Sequence, residues 1–491
     1  MRLSGEEVQH LLSEKVMQRE QGTLQQRLYQ AIKNAVIEGK LPGHAFLPGA
    51  RLLGELLGVS RNTAEAALER LAIEGFILRG PRGSQVVTLP MPLSVSSVEA
   101  KYETGKGNRR LASRLAALPP TPAEPHLYEL MPGVPALNAF PIKRWRRLMD
   151  EQFRYAGGQL LAYGSPCGEP ILREAVAAHL TLTRGIRCSA HQVIITEGSQ
   201  EALELCVALF TDGGDLAWLE DPGYRGARSA MAQGNLRVCP IPVDEQGIAP
   251  TDKQWREQTP DIIYISPAHQ YPGGVVMSIS RRLELLNLAR QYDTWLIEDD
   301  YDSEFRHQGE PLAALQGLDV NAPVLHIGTF SKTLFPALRI GFLVLPAGIA
   351  SEIAPYIGNL RRAGHQIEQR TLAAFIHQGD YSRHLAAMRR LYRERQQVLR
   401  EAISRYFTIP HQISLGGGGM HLTLKFEAEI DDRAIVHEAR KVGLGPGALS
   451  DHYLNREQAC CGLVLGYGNT EATRLPGAVA RLAEIAQRLV I

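Results

Sequence analysis

GTFSKTLFPALRIGF, residues 328–342, sets one lysine, Lys332, inside an apolar run and follows it with Arg339 in a second one. Lysine is rarely buried without a partner. The segment before it, VLHIGT at 324–329, reads as a short apolar strand, so Lys332 falls just past a strand end. The same pattern recurs upstream. QVIIT (192–196) leads into Gly198, Ser199 and Gln200 at a strand-to-helix turn, and DLAWLEDPGY (215–224) ends in Tyr224. DIIYISPAHQYPGG (261–274) carries His269, Gln270 and Tyr271; DTWLIEDDYDSEF (293–305) carries Asp299, Asp300 and Tyr301. Short strands alternating with helical patterns from about residue 126 onward predict an α/β domain with a mostly parallel sheet.

In open α/β sheets, ligands gather beyond the carboxyl ends of the strands. Those ends would here supply an anion cradle at a helix start, an aromatic, a carboxylate–tyrosine pair, an amine and a guanidinium. Taken singly, each residue has a plainer use: an aspartate caps a helix, a tyrosine sits in a turn, a lysine lies on a surface loop. Taken in order at successive strand ends, they match what pyridoxal phosphate needs. Its aldehyde needs an amine, its pyridine nitrogen a carboxylate, its phenolic oxygen a donor and its phosphate an arginine with backbone N–H groups. An apolar setting should also lower the pKa of Lys332 and favour the free amine.

A chain of 491 residues, 44% hydrophobic and 21% charged, is long enough for two or three globular domains. A net charge of +1 gives no general field for nucleic acid or an anionic membrane, so any nucleic-acid contact must come from a local patch. The six cysteines, Cys167, Cys188, Cys206, Cys239, Cys460 and Cys461, show no CxxC spacing. They read as reduced core thiols of a cytoplasmic protein, and no metal is expected. MRLSGEEVQHLLSEK has no apolar signal-peptide core, and no apolar run reaches membrane-spanning length, so no membrane partner is expected.

Residues 20–87 have a different texture. Ser60 is a good N-cap for a helix whose Ala64, Ala67, Leu68, Leu71 and Ala72 form one apolar face. ARLLGELLGV before it is a short helix capped by Gly58, and LQQRLYQAIKNAVIEGK is another. FILRGPRGSQVV follows as two short strands around Pro81–Arg82–Gly83. Three helices and a hairpin describe a winged helix-turn-helix, mostly α with a β wing; a small protein-interaction domain fits the same pattern. Residues 88–125, with TLPMPLSVSSVEAKYETGKGNRR and LPPTPAEP, read as a linker, leaving 126–491 for the α/β domain.

Two resemblances sharpen these readings. The stretch from IEGKLPG through GVSRNT to ERLAIEGFI resembles the DNA-binding domain of the GntR family. That resemblance implies operator contacts from Arg51, Ser60, Arg61, Asn62 and Thr63, and from Arg82 and Gly83 in the wing. TEGSQEAL, EDPGY, IEDDYDSEF and GTFSKTLFPALRIGF resemble the fold type I aminotransferases, the α/β class that uses pyridoxal phosphate. The likeness implies a Schiff base on Lys332, Asp299 on the ring nitrogen, Tyr301 on the phenolic oxygen and Tyr224 against the ring. It places Gly198, Ser199, Gln200 and Arg339 at the phosphate, with Tyr163 reaching the phosphate of a neighbouring subunit's cofactor. The two parts together resemble the MocR/GabR group of bacterial transcription regulators. That implies a head-to-tail homodimer that binds double-stranded operator DNA and responds to pyridoxal phosphate or an amino compound reacting with it. Aminotransferases clamp the substrate carboxylate with an arginine three residues before a late aromatic. Here CCGLVLGYG puts Val464 at that place before Tyr467, so little or no transamination is expected. A working aminotransferase and a cofactor-free dimerisation scaffold are the alternatives.

Overall fold

The structure is a computed structural model that describes residues 4–17, 22–81, 83–88, 112, 114, 118, 126–307, 313–319, 321–362, 364–415 and 417–490. Two compact units divide the chain, Met1–Arg110 and Leu111–Ile491. The expected linker, 88–125, falls almost wholly outside the described residues.

The first unit contains α1 (Gly5–Met17), α2 (Leu24–Ile37), α3 (Ala50–Leu57) and α4 (Arg61–Ile73). Strands β1 (Phe46–Leu47), β2 (Ile77–Gly80) and β3 (Gly83–Val86) form an antiparallel sheet in the order β1-β3-β2. Local chemistry sets the helix ends. Thr23 and Gln26 close a capping box on α2, Gly58 ends α3 in the left-handed region at φ 64°, and the Ser60 hydroxyl accepts from Thr63 N–H at 3.0 Å. The turn between α3 and α4 is tight: a Cβ on Gly54 would lie 2.8 Å from the Val59 carbonyl oxygen. Ala64, Ala67, Leu68 and Leu71 are buried as the spacing predicts, while Ala72 packs at the edge. Two features go beyond the sequence reading. Among the described residues the unit has four helices, because α1 buries Val8, Leu12 and Val16 at i, i+4 and i+8 against the same core. The wing has a third strand, because Phe46–Leu47 pairs with Ser84–Gln85.

The second unit holds an eight-stranded sheet of β4 (Val193–Thr196), β5 (Leu216–Asp221), β6 (Arg237–Asp244), β7 (Gly247–Ile248), β8 (Ile262–Ile265), β9 (Trp295–Asp300), β10 (Val324–Thr329) and β11 (Gly341–Val344). Their order is β4-β11-β10-β9-β8-β5-β6-β7. The pairs β10/β9, β9/β8, β8/β5 and β5/β6 are parallel; β11 runs against both neighbours, and β7 against β6. β4, β5, β8, β9 and β10 therefore point their carboxyl ends to one edge, as a sheet built for a ligand there requires. Residues on β4, β8, β9 and β10 are buried almost throughout, as strands covered on both faces should be. A second, antiparallel sheet was not foreseen: β12 (His411–Ile413), β13 (His421–Phe426), β14 (Gly447–Ala448) and β15 (Gly462–Gly466), in the order β12-β13-β15-β14. The six cysteines are free, but only Cys206 is fully buried; the other five are half-buried, which corrects their reading as core thiols. Among the described residues no helix is long and apolar enough to cross a membrane.

Candidate functional site

A cavity of about 230 Å³ opens at the carboxyl edge of the large sheet. Six residues singled out from the strand ends, Ser199, Tyr224, Tyr271, Asp299, Tyr301 and Lys332, line it together. Lys332 lies three residues past β10, and its Nζ donates to the Gly133 carbonyl at 2.9 Å. Gly133 has φ 75°, and a Cβ there would sit 2.9 Å from that Nζ, so the approach requires glycine. Burial lowers the Lys332 pKa against the pull of Asp302 and Asp299, which favours the neutral amine a carbonyl needs.

Asp299 is the fourth-from-edge strand's contribution. Its Oδ2 accepts from the Tyr264 hydroxyl at 2.7 Å, while Oδ1 is buried and has no hydrogen-bond partner among the described residues. Burial pushes its pKa up to about 6. An unpartnered carboxylate oxygen in a cavity is the place for a cationic N–H donor, and a protonated ring nitrogen is one. Beside it, buried Glu220 accepts from the Ser266 hydroxyl at 2.7 Å and is pushed up to about 7, again by burial. Tyr224 lies over this floor, stacked on Tyr264 at 6.4 Å between centroids and 29° between planes.

The anion end is built from Gly198, Ser199 and Arg339. Ser199 opens the helix Ser199–Phe210, and Gly198 caps it at φ 83°. A Cβ on Gly198 would lie 3.3 Å from the Arg339 guanidinium, which donates to the Glu197 carbonyl at 2.7 Å. Arg339 itself holds φ 49°, a left-handed conformation that costs about 1 kcal/mol outside glycine and aims the side chain at the helix start. A guanidinium beside a helix N-terminus suits a phosphate. The residues present therefore fit pyridoxal phosphate: an amine, an unpaired carboxylate oxygen, a stacking aromatic and a phosphate cradle.

Two expected members are placed otherwise. The Gln200 amide is tied to Glu204 at 3.2 Å and the Gly226 carbonyl at 3.4 Å, so its side chain is engaged away from the cavity lining. Tyr163 is 91% exposed and lies outside the cavity of its own chain. Sequence reasoning passed over Tyr264, Asp302, Gly133 and His421, which also line the cavity. A tyrosine inside the wholly buried strand β8 was the available signal, because its hydroxyl must find a partner. His421 comes from β13 of the unforeseen sheet, and burial pushes its pKa down to about 3. His269, Asp302 and His421 bring one ligand-type atom each within 4.8 Å of one another; Nδ1 of His269 and Nε2 of His421 already face protein partners.

In the first unit, Arg61 and Asn62 open α4 and are exposed, as groove-reading residues must be. The Ser60 and Thr63 hydroxyls bond each other at 2.7 Å, so capping is their structural role. Arg51 is exposed on α3 and pairs with Glu55 at 3.2 Å, a surface pair that gives way readily to a phosphate. Gly83 starts β3 at φ 116°; Arg82 lies outside the described residues.

Residues 24–87 match the family of bacterial regulatory proteins, gntR family, and residues 133–440 match aminotransferase class I and II. A probable rhizopine catabolism regulatory protein, MocR, of Rhizobium meliloti is 35% identical over 91% of this chain and 90% of its own. The chain belongs to the MocR/GabR-type transcriptional regulators. Another such regulator, the HTH-type pyridoxine biosynthesis transcriptional regulator PdxR of Corynebacterium glutamicum, is 30% identical over 93% of this chain and 95% of its own. Among solved structures, a kynurenine aminotransferase of Pyrococcus horikoshii, in complex with PMP, covers 78% of this chain and 98% of its own at 25% identity and TM-score 0.70. The α-aminoadipate aminotransferase LysN of Thermus thermophilus shares the fold, at 24% identity, TM-score 0.67, 74% of this chain and 93% of its own. As a MocR/GabR-type regulator, this protein joins a GntR helix-turn-helix that binds double-stranded DNA to an aminotransferase-like domain of fold type I.

Proposed function

We propose that this regulator binds pyridoxal phosphate in the cavity of the large unit and reports it, or an amino compound that reacts with it, through operator DNA in the cytoplasm. The observation that carries the reading is the partnerless Oδ1 of buried Asp299 in the same cavity as the half-buried amine of Lys332. The bound cofactor supplies an aldehyde that takes up amines and a visible chromophore. The chain's own groups bind and orient it. Arg339 and the Ser199 helix start hold the phosphate, Tyr224 covers one ring face, Asp299 holds the ring nitrogen protonated and Tyr301 donates to the phenolic oxygen. Tyr163, exposed on its own subunit, suits a head-to-tail homodimer in which it reaches the neighbour's phosphate.

Val464 argues against turnover. It is fully buried in β15, paired with Thr423 and Gly447, where an aminotransferase would present an arginine to the substrate carboxylate. Without that clamp an α-amino acid is poorly held for proton removal at Cα. A sensor of pyridoxal phosphate itself, controlling vitamin B6 genes, is the sharper form of the proposal, and the PdxR relative is named a regulator of pyridoxine biosynthesis.

The test begins with DNA selected from a random pool by the purified protein. Its affinity is then measured for apo and cofactor-loaded protein, with Lys332→Ala as control. A visible band that depends on Lys332, and a changed DNA affinity on loading, are expected. Equal affinity of the two forms would refute the effector role; no band after added cofactor would refute the site.

A further inference from the structure

Tyr301 Oη lies 3.0 Å from Nδ1 of His269, and the same nitrogen lies 3.1 Å from both carboxylate oxygens of Asp302. One imidazole nitrogen carries either a proton or a lone pair. It cannot donate to Asp302 and accept from Tyr301 at once. Asp302 decides between them. Its carboxylate is buried, and Nδ1 is its one side-chain hydrogen-bond partner among the described residues. A buried carboxylate facing a bare lone pair would be unpaired, which costs far more than leaving a hydroxyl to rotate. The proton therefore stands on Nδ1 and points at Asp302.

Two further observations agree. Nε2 of His269 is buried without a partner among the described residues. A lone pair left bare there is milder than a buried N–H with no acceptor, which the other tautomer would create. The backbone also packs directly against the pair: Gly419 has φ 78°, and a Cβ on it would lie 2.2 Å from His269 Cε1 and 2.6 Å from Asp302 Oδ2. With Nδ1 protonated, the Tyr301 hydroxyl finds no acceptor on His269. Its hydrogen turns into the cavity, which Tyr301 itself lines.

We propose that Asp302 and His269 are positioning residues that fix the direction of the Tyr301 O–H, keeping it a donor to the phenolic oxygen of the bound cofactor. This rests on the cofactor reading above. The other titratable groups on the cavity wall are Lys332, Asp299, Tyr224, Tyr264, Tyr271 and, from β13, His421, which is pushed down to about 3 and brings no competing charge near neutrality.

The test follows the pH midpoint at which the visible band of the cofactor-loaded protein changes form. A donor to the phenolic oxygen favours the more negative form, so Tyr301→Phe raises the midpoint in the parent. In an Asp302→Leu background His269 loses its acceptor, takes the other tautomer and captures the Tyr301 hydroxyl. Adding Tyr301→Phe there is expected to move the midpoint little or not at all. The same upward shift in both backgrounds would overturn the proposal. A second measurement needs no change at Asp302: nitrogen NMR of protein labelled on histidine, with His269 assigned by a His269→Gln variant. Protonated Nδ1 with bare Nε2 supports the device, and the reverse tautomer overturns it. If the protein shows no visible band, the cofactor reading falls, and the tautomer still decides the hydrogen-bond geometry on its own.

Discussion

Replacing Tyr264 by Phe removes one hydroxyl and leaves the ring in place. That hydroxyl donates to Asp299 Oδ2 at 2.7 Å in a fully buried setting, the only hydrogen bond the carboxylate makes among the described residues. A hydrogen bond to a charged group is worth about 1.5–3 kcal/mol. At 1.36 kcal/mol per pKa unit, its loss raises Asp299 by about 1–2 units from the value of about 6 that burial gives it. The consequence for pyridoxal phosphate depends on pH with a definite sign. The bound state needs the carboxylate ionised against the ring nitrogen, so it always bears the lost bond. Below pH 6 the empty site is protonated in both proteins and bears no such cost, so binding weakens by the full amount, about tenfold to a hundredfold. Above about pH 9 both empty sites are ionised, both bear the loss and the affinities converge. Absorbance titration of parent and variant between pH 5.5 and about 9, with near-ultraviolet circular dichroism as the check on folding, measures this. A loss of affinity that is the same at every pH, or no loss at pH 5.5, would show that Tyr264 does not act through Asp299.

Changing Arg61 and Asn62 together to Ala should abolish specific DNA binding and leave the cofactor band untouched, since both are exposed at the start of α4 in a separate unit; loss of both properties would refute the division of labour. Burial raises Asp299 in the folded protein above its ordinary value of 3.8, so its protonation stabilises the apo protein at low pH, and that stability is lost as pH rises through about 6. Relative to Asp299→Asn, apo parent should lose about 2.4 kcal/mol between pH 4 and 7 in chemical denaturation, and saturating cofactor should cancel the difference. Leu12→Ala should cost the first unit about 2–5 kcal/mol, read as a lowered unfolding midpoint, because Leu12 is fully buried in the core that α1 completes. A variant as stable as the parent would show that α1 does not belong to the folded unit.

The site was legible in the sequence to the extent that strand ends are. Lys332, Asp299, Tyr301 and Tyr224 each stand within three residues of an apolar run, and parallel strands bring such ends together whatever lies between them. α4 was legible for a similar reason, since Ser60 and the alanine–leucine stripe are local signals. What escaped came from elsewhere in the fold. Gly133 reaches Lys332 across 199 positions, and His421 arrives on a sheet whose strands of two to six residues carry little periodicity. α1 escaped because the residues it buries, Val8, Leu12 and Val16, are four apart and spaced among charges.

The proposed preference for sensing over turnover rests on the late strand. Sensing needs a ligand to be held in one protonation state and to report on DNA, and for that the chain has kept the amine, the raised carboxylate and the phosphate cradle. Turnover needs in addition a cation that fixes the substrate's carboxylate, because orientation is the large part of the barrier that binding can remove. At the late strand the chain instead buries a valine paired with Thr423 and Gly447. On the proposed reading, binding and turnover differ by what β15 presents at Val464, while Lys332, Asp299, Tyr301 and Ser199 stand at the edge of the large sheet.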